Sequence, residues 1–273
     1  MASTPEPTTS VSRLRAVAIV PARLASTRLA RKMLLAETGV PLCVHTARNV
    51  ALARSFDRVV LAVDADEVFE AAARFGVEAV RTRVDHKSGT DRVFEALSQL
   101  SGEFDVVVNV QGDEPELAPA DLERLTAVFA EPDVEIATLC GPLADARELA
   151  SASVVKVVRD GRGDALYFSR APIPSAAHPR ANAESVLAAA RRHVGVYAFR
   201  PRALARFCAL AEGRLEALEN LEQLRWLEAG ARMRVLEASV VPLGIDTRED
   251  YDAFVLRARG ERSGAGRPGA VGS

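Results

Sequence analysis

The chain has 273 residues, with 35 Lys plus Arg against 37 Asp plus Glu and a formal charge of −2. That balance gives no general electrostatic pull toward nucleic acid or an anionic membrane. Apolar residues make up 48% of the chain, too many for global disorder and enough for the core of one large or two small domains.

The longest apolar runs, such as Ala16–Pro21 and Val106–Val108, are far too short to span a bilayer. The N-terminus lacks the basic start and apolar stretch of a secretory signal. Cys43, Cys140 and Cys208 are odd in number and widely spaced. They predict neither a disulfide framework nor a zinc site, and the expected compartment is a reducing cytoplasm.

Residues 1–13 are rich in Pro, Ser and Thr and predict a disordered tail, as does the Gly- and Ser-rich 261–273. Between them β-branched runs alternate with amphipathic stretches. In chain order these are a strand at Ala16–Val20, a helix at Pro41–Arg54, a strand at Arg58–Val63, a helix at Asp66–Phe75 and a strand at Glu78–Arg81. A helix at Asp91–Leu100, a strand at Asp105–Val110 and a helix at Pro119–Phe129 follow. Such alternation with short connections predicts a doubly wound, mostly parallel sheet covered on both faces. Val106–Val110 has the apolar character of a central strand.

Later strands are expected at Glu135–Leu139, Val154–Arg159, Ala165–Ser169, His193–Phe199 and Met233–Glu237. Helices are expected at Pro201–Ala211, Ala217–Ala229 and Arg248–Arg259. Strands crowd together after about residue 150, so this half reads as a smaller mixed or antiparallel extension. Thr90 before Asp91 and the run Thr247 to Asp250 are helix-start signals, the second a capping box. In the segment 215–225 the leucines at 215, 218, 221 and 224 form an apolar stripe, and Glu216, Glu219, Glu222 and Gln223 fall off it toward solvent.

Ligands of open α/β sheets bind beyond the carboxyl ends of strands. After the first strand come Arg23, Ser26, Thr27, Arg28, Arg31 and Lys32, a basic loop without a glycine fingerprint. Arginine forks and a lysine point charge suit a polyphosphate. After the central strand, Gln111-Gly112-Asp113-Glu114-Pro115 presents a carboxylate suited to Mg²⁺ or to an ordinary turn. Asp246 precedes the last helix, either as a second carboxylate or as its cap. Ser88-Gly89-Thr90 ends a polar loop at a helix start, where amides can take an anion or a base. Arg170 follows a strand, and His193, Gly195 and Tyr197 alternate onto one face of another.

Eight stretches together resemble the 3-deoxy-manno-octulosonate (Kdo) cytidylyltransferase family: IVPARLASTRLARK, TRVDHKSGTDR, VVVNVQGDEPEL, VVKVVRD, ALYFSRAPIP, RHVGVYAFRP, LENLEQLRWLEAG and GIDTRED. The resemblance implies a sugar-nucleotidyltransferase fold over 14–260, with a nucleotide-binding part at 14–143, a sugar-binding and dimerisation part at 144–242 and a closing segment at 243–260. It implies transfer of CMP from CTP to Kdo for lipopolysaccharide synthesis, Mg²⁺ dependence and a homodimer. Arg23 and Lys32 match the family's triphosphate-binding positions, with Asp113 and Asp246 at its metal-binding aspartates. Ala22, Ser26, Ser88, Gly89, Thr90 and Gln111 match nucleotide contacts. Arg170, His193, Tyr197, Glu219, Glu222 and Gln223 match or neighbour Kdo-binding positions, with Arg170 expected to anchor the sugar's carboxylate.

The chain departs from the family's Arg-Leu-Pro-Gly-Lys-Pro loop, reading Leu29-Ala30-Arg31-Lys32-Met33. Ser175–Ala190 has little aromatic or polar character, and Arg248 stands where the family has Pro. Three alternatives stay open. One is a cytidylyltransferase for 8-amino-Kdo or sialic acid. Another is a type-A glycosyltransferase using Asp64-Ala65-Asp66 as its metal motif. The last is a nucleotide-binding scaffold without turnover.

Overall fold

The computed structural model describes residues 13–26, 28–175 and 183–260. Of the tails expected at 1–13 and 261–273, all but Arg13 lies outside the described residues, as does part of the Ser175–Ala190 stretch. Arg13, expected in the first tail, is tied down: it donates to the Arg54 carbonyl at 2.9 Å and lies 3.7 Å from Asp57.

The first half folds as its alternation predicts. It runs β1 (Ala16–Ala22), α1 (Leu42–Val50), β2 (Arg58–Val63), α2 (Asp66–Arg74), β3 (Ala79–Arg81), α3 (Gly89–Gln99), β4 (Val106–Asn109) and α4 (Pro119–Ala127). These strands pair in parallel in the order β3-β2-β1-β4. Side chains alternate between faces: Ala18, Val20 and Val108 pack with α1, α2 and α4, whereas Val17, Ile19 and Val107 face α3. Burial on both faces makes β4 continuously apolar up to Asn109. Each fully buried Val, Ile or Leu contributes about 1.5–3 kcal/mol.

The second half contains β5 (Ile136–Gly141), α5 (Ala146–Ala150), β6 (Lys156–Arg159), β7 (Ala165–Ser169), α6 (Ala183–Ala189), β8 (Arg191–Phe199), α7 (Pro201–Ala209), α8 (Arg214–Glu219), α9 (Leu224–Glu228), β9 (Arg234–Glu237) and α10 (Arg248–Ala258). It is mixed, as expected, and continuous with the first half. β8 inserts antiparallel between β4 and β5, β9 runs parallel to β5, and the hairpin of β6 and β7 extends from β8. β8 therefore places His193, Gly195 and Tyr197 beside the carboxyl end of β4, where Asn109 pairs with Tyr197.

Three local expectations are corrected. The helix expected at Ala217–Ala229 is two helices, broken at Asn220, which adopts a left-handed φ of 51° that asparagine tolerates. The leucine stripe loses its register there. Leu218 is 82% exposed, while Glu216 and Gln223 are buried. Glu216 turns back on its own helix pair, accepting from the Gly213 amide at 3.1 Å and from Arg225 Nε at 2.7 Å. Helix α3 starts earlier than expected: Ser88, not Thr90, is its cap, accepting from the Asp91 amide at 3.0 Å. The capping box at Thr247 and Asp250 forms as expected. α5 and α6 are too short to give a periodic signal.

Candidate active site

The basic loop after β1 is held from below by Asp64, the first acid of the expected Asp64-Ala65-Asp66 metal motif. Asp64, at the end of β2, accepts from the Leu24 amide at 2.8 Å and from Arg92 at 3.1 Å. Arg92 also donates to Thr82 Oγ1 at 2.6 Å. Asp66 points away, opens α2 and pairs with Arg81 at 2.8 Å. The two carboxylates of Asp64-Ala65-Asp66 do not converge, so the glycosyltransferase metal motif is corrected to a loop anchor and an exposed ion pair.

Loop and strand ends enclose a cavity of about 300 Å³, lined by Arg23, Ser26, Arg28, Lys32, Lys87 and Arg92 together with Ser88, Gly89, Gln111 and Asp113. Five cations around one concave space make an anion site. Most expected nucleotide contacts thus share one wall. Ala22 is different: its side chain packs into the core, leaving its backbone alone for contact. Thr90 lies behind the wall and donates to Glu222 at 2.8 Å. Arg28 and Arg92, which the residue-by-residue resemblance does not single out, belong to this wall. The density of cations after β1 signalled Arg28; Arg92 had no local signal, because its importance comes from burial against Asp64.

Gly112 permits the closure of the site. A Cβ there would stand 2.8 Å from the Pro21 carbonyl oxygen and 3.0 Å from Met33 Sδ. Any side chain would separate the ends of β1 and β4.

Lys32 forms the centre. The loop rises into a short 3-10 turn, Lys32–Leu34, after Arg31 adopts a left-handed φ of 54°. That is the position where the family pattern has glycine, so here a strained arginine, paired with Glu67, makes the turn. Lys32 is 6% exposed. Its Nζ meets Asp113 Oδ2 at 2.5 Å, the Ile245 carbonyl at 2.7 Å and Asp246 Oδ1 at 3.5 Å. Three donors thus face three acceptors. Arg28 pairs with the other Asp246 oxygen at 2.7 Å. The Ile245 amide donates to the Asp113 carbonyl at 3.0 Å, so the closing segment docks directly on the end of β4. Thr247 caps α10 and leaves the Asp246 carboxylate free of that role.

Among the described residues no group of three or more His, Cys, Asp and Glu is placed to hold a metal ion. Asp113 and Asp246 do converge on one cation, and two carboxylates completed by phosphate oxygens is how Mg²⁺ is commonly bound. The donor set fits that ion.

Beside the aspartates, on the face toward β8, lies a second polar region. His193 is half-buried, 3.0 Å from Thr138 Oγ1, and stacks edgewise on Phe168 at 5.0 Å. Burial pushes its pKa from 6.5 down to about 3. It is therefore neutral near pH 7 and brings no charge to a carboxylate. Tyr197 lies at 5.4 Å from His193. Burial raises the pKa of Glu222, and burial together with Asp113 raises that of Glu114 to about 8. Asn109 Oδ1, Glu114 Oε2, Glu222 Oε1 and Gln223 Nε2 are buried without a hydrogen-bond partner.

Arg170 and Glu219 sit differently from expectation. Arg170 donates to the backbone carbonyls of Glu219 at 2.8 Å, Ala152 at 3.0 Å and Asn220 at 3.2 Å. Glu219 accepts from Ser169 Oγ at 2.6 Å and the Arg170 amide at 2.9 Å. Together they clamp the end of β7 to the left-handed turn at Asn220, and three of the five Arg170 N–H donors are engaged within the fold.

The neutral His193 makes a prediction. Its folded pKa lies below its unfolded value, so the unfolded chain binds the extra proton first as pH falls. Stability from this group is full above pH 6.5 and is lost toward pH 3, by up to about 1.4 kcal/mol per pH unit. Urea denaturation at several pH values is expected to show a shallower acid decline for His193→Gln than for the parent. Equal slopes would refute this.

A family described as cytidylyltransferase matches residues 17–235. A 3-deoxy-manno-octulosonate cytidylyltransferase of Xanthobacter autotrophicus is 45% identical over 249 residues, covering 89% of this chain and 93% of that protein. Its counterpart from an Anaeromyxobacter species is 47% identical, covering 91% and 99%. Among solved structures, a CMP:2-keto-3-deoxy-manno-octonic acid synthetase complexed with CTP matches with a TM-score of 0.83 at 39% identity, over 91% of this chain and all of that one. A 4-diphosphocytidyl-2C-methyl-D-erythritol synthase from Anaerococcus prevotii, at 14% identity and a TM-score of 0.59, shares the fold.

Proposed function

The chain belongs to the cytidylyltransferase family, and from that premise we propose that it transfers CMP from CTP to the anomeric hydroxyl of Kdo, releasing pyrophosphate. The observation that carries the reading is the meeting at Lys32 Nζ of Asp113 and Asp246, residues 81 and 214 positions away in the chain, at the rim of a cationic cavity.

The hydroxyl oxygen of the sugar bonds to the α-phosphorus, its proton leaves to solvent, and the bond from that phosphorus to the bridging oxygen of pyrophosphate breaks. Alignment and charge stabilisation dominate such a transfer. Arg23, Arg28 and Lys32 bind the triphosphate and take up charge that moves onto pyrophosphate, while Arg92 holds the loop from beneath through Asp64. Ser88, Gly89 and Gln111 form the wall for the nucleoside. Asp113 and Asp246 would hold Mg²⁺, which when bound supplies further neutralisation of the phosphates. His193, Tyr197, Glu222 and Gln223 line the acceptor side.

The enzyme is further proposed to act as a homodimer in the cytoplasm, supplying activated Kdo for lipopolysaccharide assembly. The relatives' names support the sugar, and the free cysteines Cys43, Cys140 and Cys208 suit a reducing compartment.

Pyrophosphate release tests the activity, with each of four nucleoside triphosphates against Kdo, 8-amino-Kdo and sialic acid, with and without Mg²⁺. Release is expected with CTP, Kdo and Mg²⁺ together. Faster release with another keto-sugar acid would reassign the acceptor. CTP binding without release for any acceptor would sink the reading.

A further inference from the structure

Two carboxyl groups, Glu222 and Glu114, act electrostatically on Tyr197, and each has one oxygen buried without a partner. Unlike the amides of Asn109 and Gln223, each of these groups carries two oxygens. A polar atom buried without a partner in the fold costs about 1–3 kcal/mol. Such atoms, when several face one space, complement a ligand rich in hydrogen-bonding groups.

Glu222 has a candidate role through the family resemblance. Glu114 has none. It follows Asp113, yet its side chain turns toward β8. A Cβ on Gly195 would stand 3.8 Å from Glu114 Oε1, and one on Gly244 would stand 4.0 Å from it. The carboxyl group therefore lies between β8 and the closing segment, where the two neighbouring positions carry no side chain. The Asp113 and Asp246 carboxylates are close enough to be felt electrostatically.

We propose that Glu114 is a sugar-binding residue, its unpartnered oxygen forming a hydrogen bond with a hydroxyl of the acceptor. This rests on the reading that the acceptor sits against Tyr197 and Glu222. Glu114 then links the two halves of the reaction: its backbone continues from the metal-side Asp113, while its side chain orients the attacking sugar.

Steady-state kinetics on the full-length enzyme test it, with Kdo and CTP varied separately. Glu114→Leu is expected to raise the KM for Kdo about tenfold or more, leaving the KM for CTP within about twofold. Glu114→Gln keeps the volume and a hydrogen-bonding oxygen, and is expected to return the KM for Kdo to within about threefold of the parent. Glu222→Leu serves as the control for the pocket. If Glu222→Leu raises the KM for Kdo and Glu114→Leu does not, the role of Glu114 is overturned and the pocket stands. If neither raises it, the pocket reading falls and the proposal with it. A fall in kcat with the KM for Kdo unchanged would also overturn it, since Glu114 would then act only through Asp113. Should Glu114→Leu fail to fold, Glu114→Asp withdraws the carboxyl group by one methylene and is expected to raise the KM for Kdo about fivefold; an unchanged KM there refutes the proposal.

Discussion

Lys32→Ala is expected to lower kcat by about 10²–10³, the usual loss when one charge donor is removed from a site that stabilises a transition state. The ammonium group is buried and touches Asp113, Asp246 and the Ile245 carbonyl. It is held where the basic loop, the end of β4 and the closing segment meet. Its removal takes away a charge at the proposed triphosphate site and the cross-link between three parts of the chain. Leaving the Ile245 carbonyl without its donor costs a further 1–3 kcal/mol or so of stability. Lys32→Arg is not expected to restore turnover. A planar guanidinium cannot place three donors on three converging acceptors as a rotating ammonium group does. Single-turnover pyrophosphate release separates the chemical step from substrate binding, and melting curves report the structural part. Full turnover in Lys32→Ala would remove Lys32 from the mechanism.

Asp113→Ala is expected to be more severe, losing roughly a thousandfold or more in kcat, because the proposed Mg²⁺ would supply several kcal/mol of charge stabilisation when correctly held. Asp113 stands on the loop that Gly112 lets pass within contact of β1. Asp246 arrives from the other end of the chain, on a segment pinned by the hydrogen bond of its neighbour Ile245 to the Asp113 backbone. Because that pin uses the backbone, Asp113→Ala removes the carboxylate while the docking remains. Asp246→Asn is expected to shift the Mg²⁺ concentration for half-maximal turnover upward, with a smaller loss at saturation. Titrating Mg²⁺ against initial rate measures both. A normal Mg²⁺ dependence in Asp113→Ala would rule out the carboxylate pair as the metal site.

Much of this molecule is legible in its sequence, because the signals are local. Alternating β-branched and amphipathic runs locate the nine strands of the described residues and the parallel first half, since burial on both faces demands continuous apolar strands. The segments at the carboxyl ends of β1 and β4 carry their cations and carboxylate in the sequence itself, and the capping box at Thr247 already leaves Asp246 available. What the chain order conceals is every relation between distant residues. The antiparallel insertion of β8 between β4 and β5 depends on long-range pairing, which no local period encodes. The break at Asn220 depends on one left-handed residue, and it turns an apparently exposed Glu216 inward. Arg170 reads as a ligand for a carboxylate, and only the fold shows that three of its donors also hold backbone carbonyls, whereas Asp64 reads as a metal ligand until it is seen beneath Leu24 and Arg92. Glu114 follows a turn-like Gly-Asp pair and looks ordinary; only the packing of β8 and the closing segment leaves its oxygen buried and alone. A side chain's type states which bonds it can make, and the packing around it determines which of them are already made.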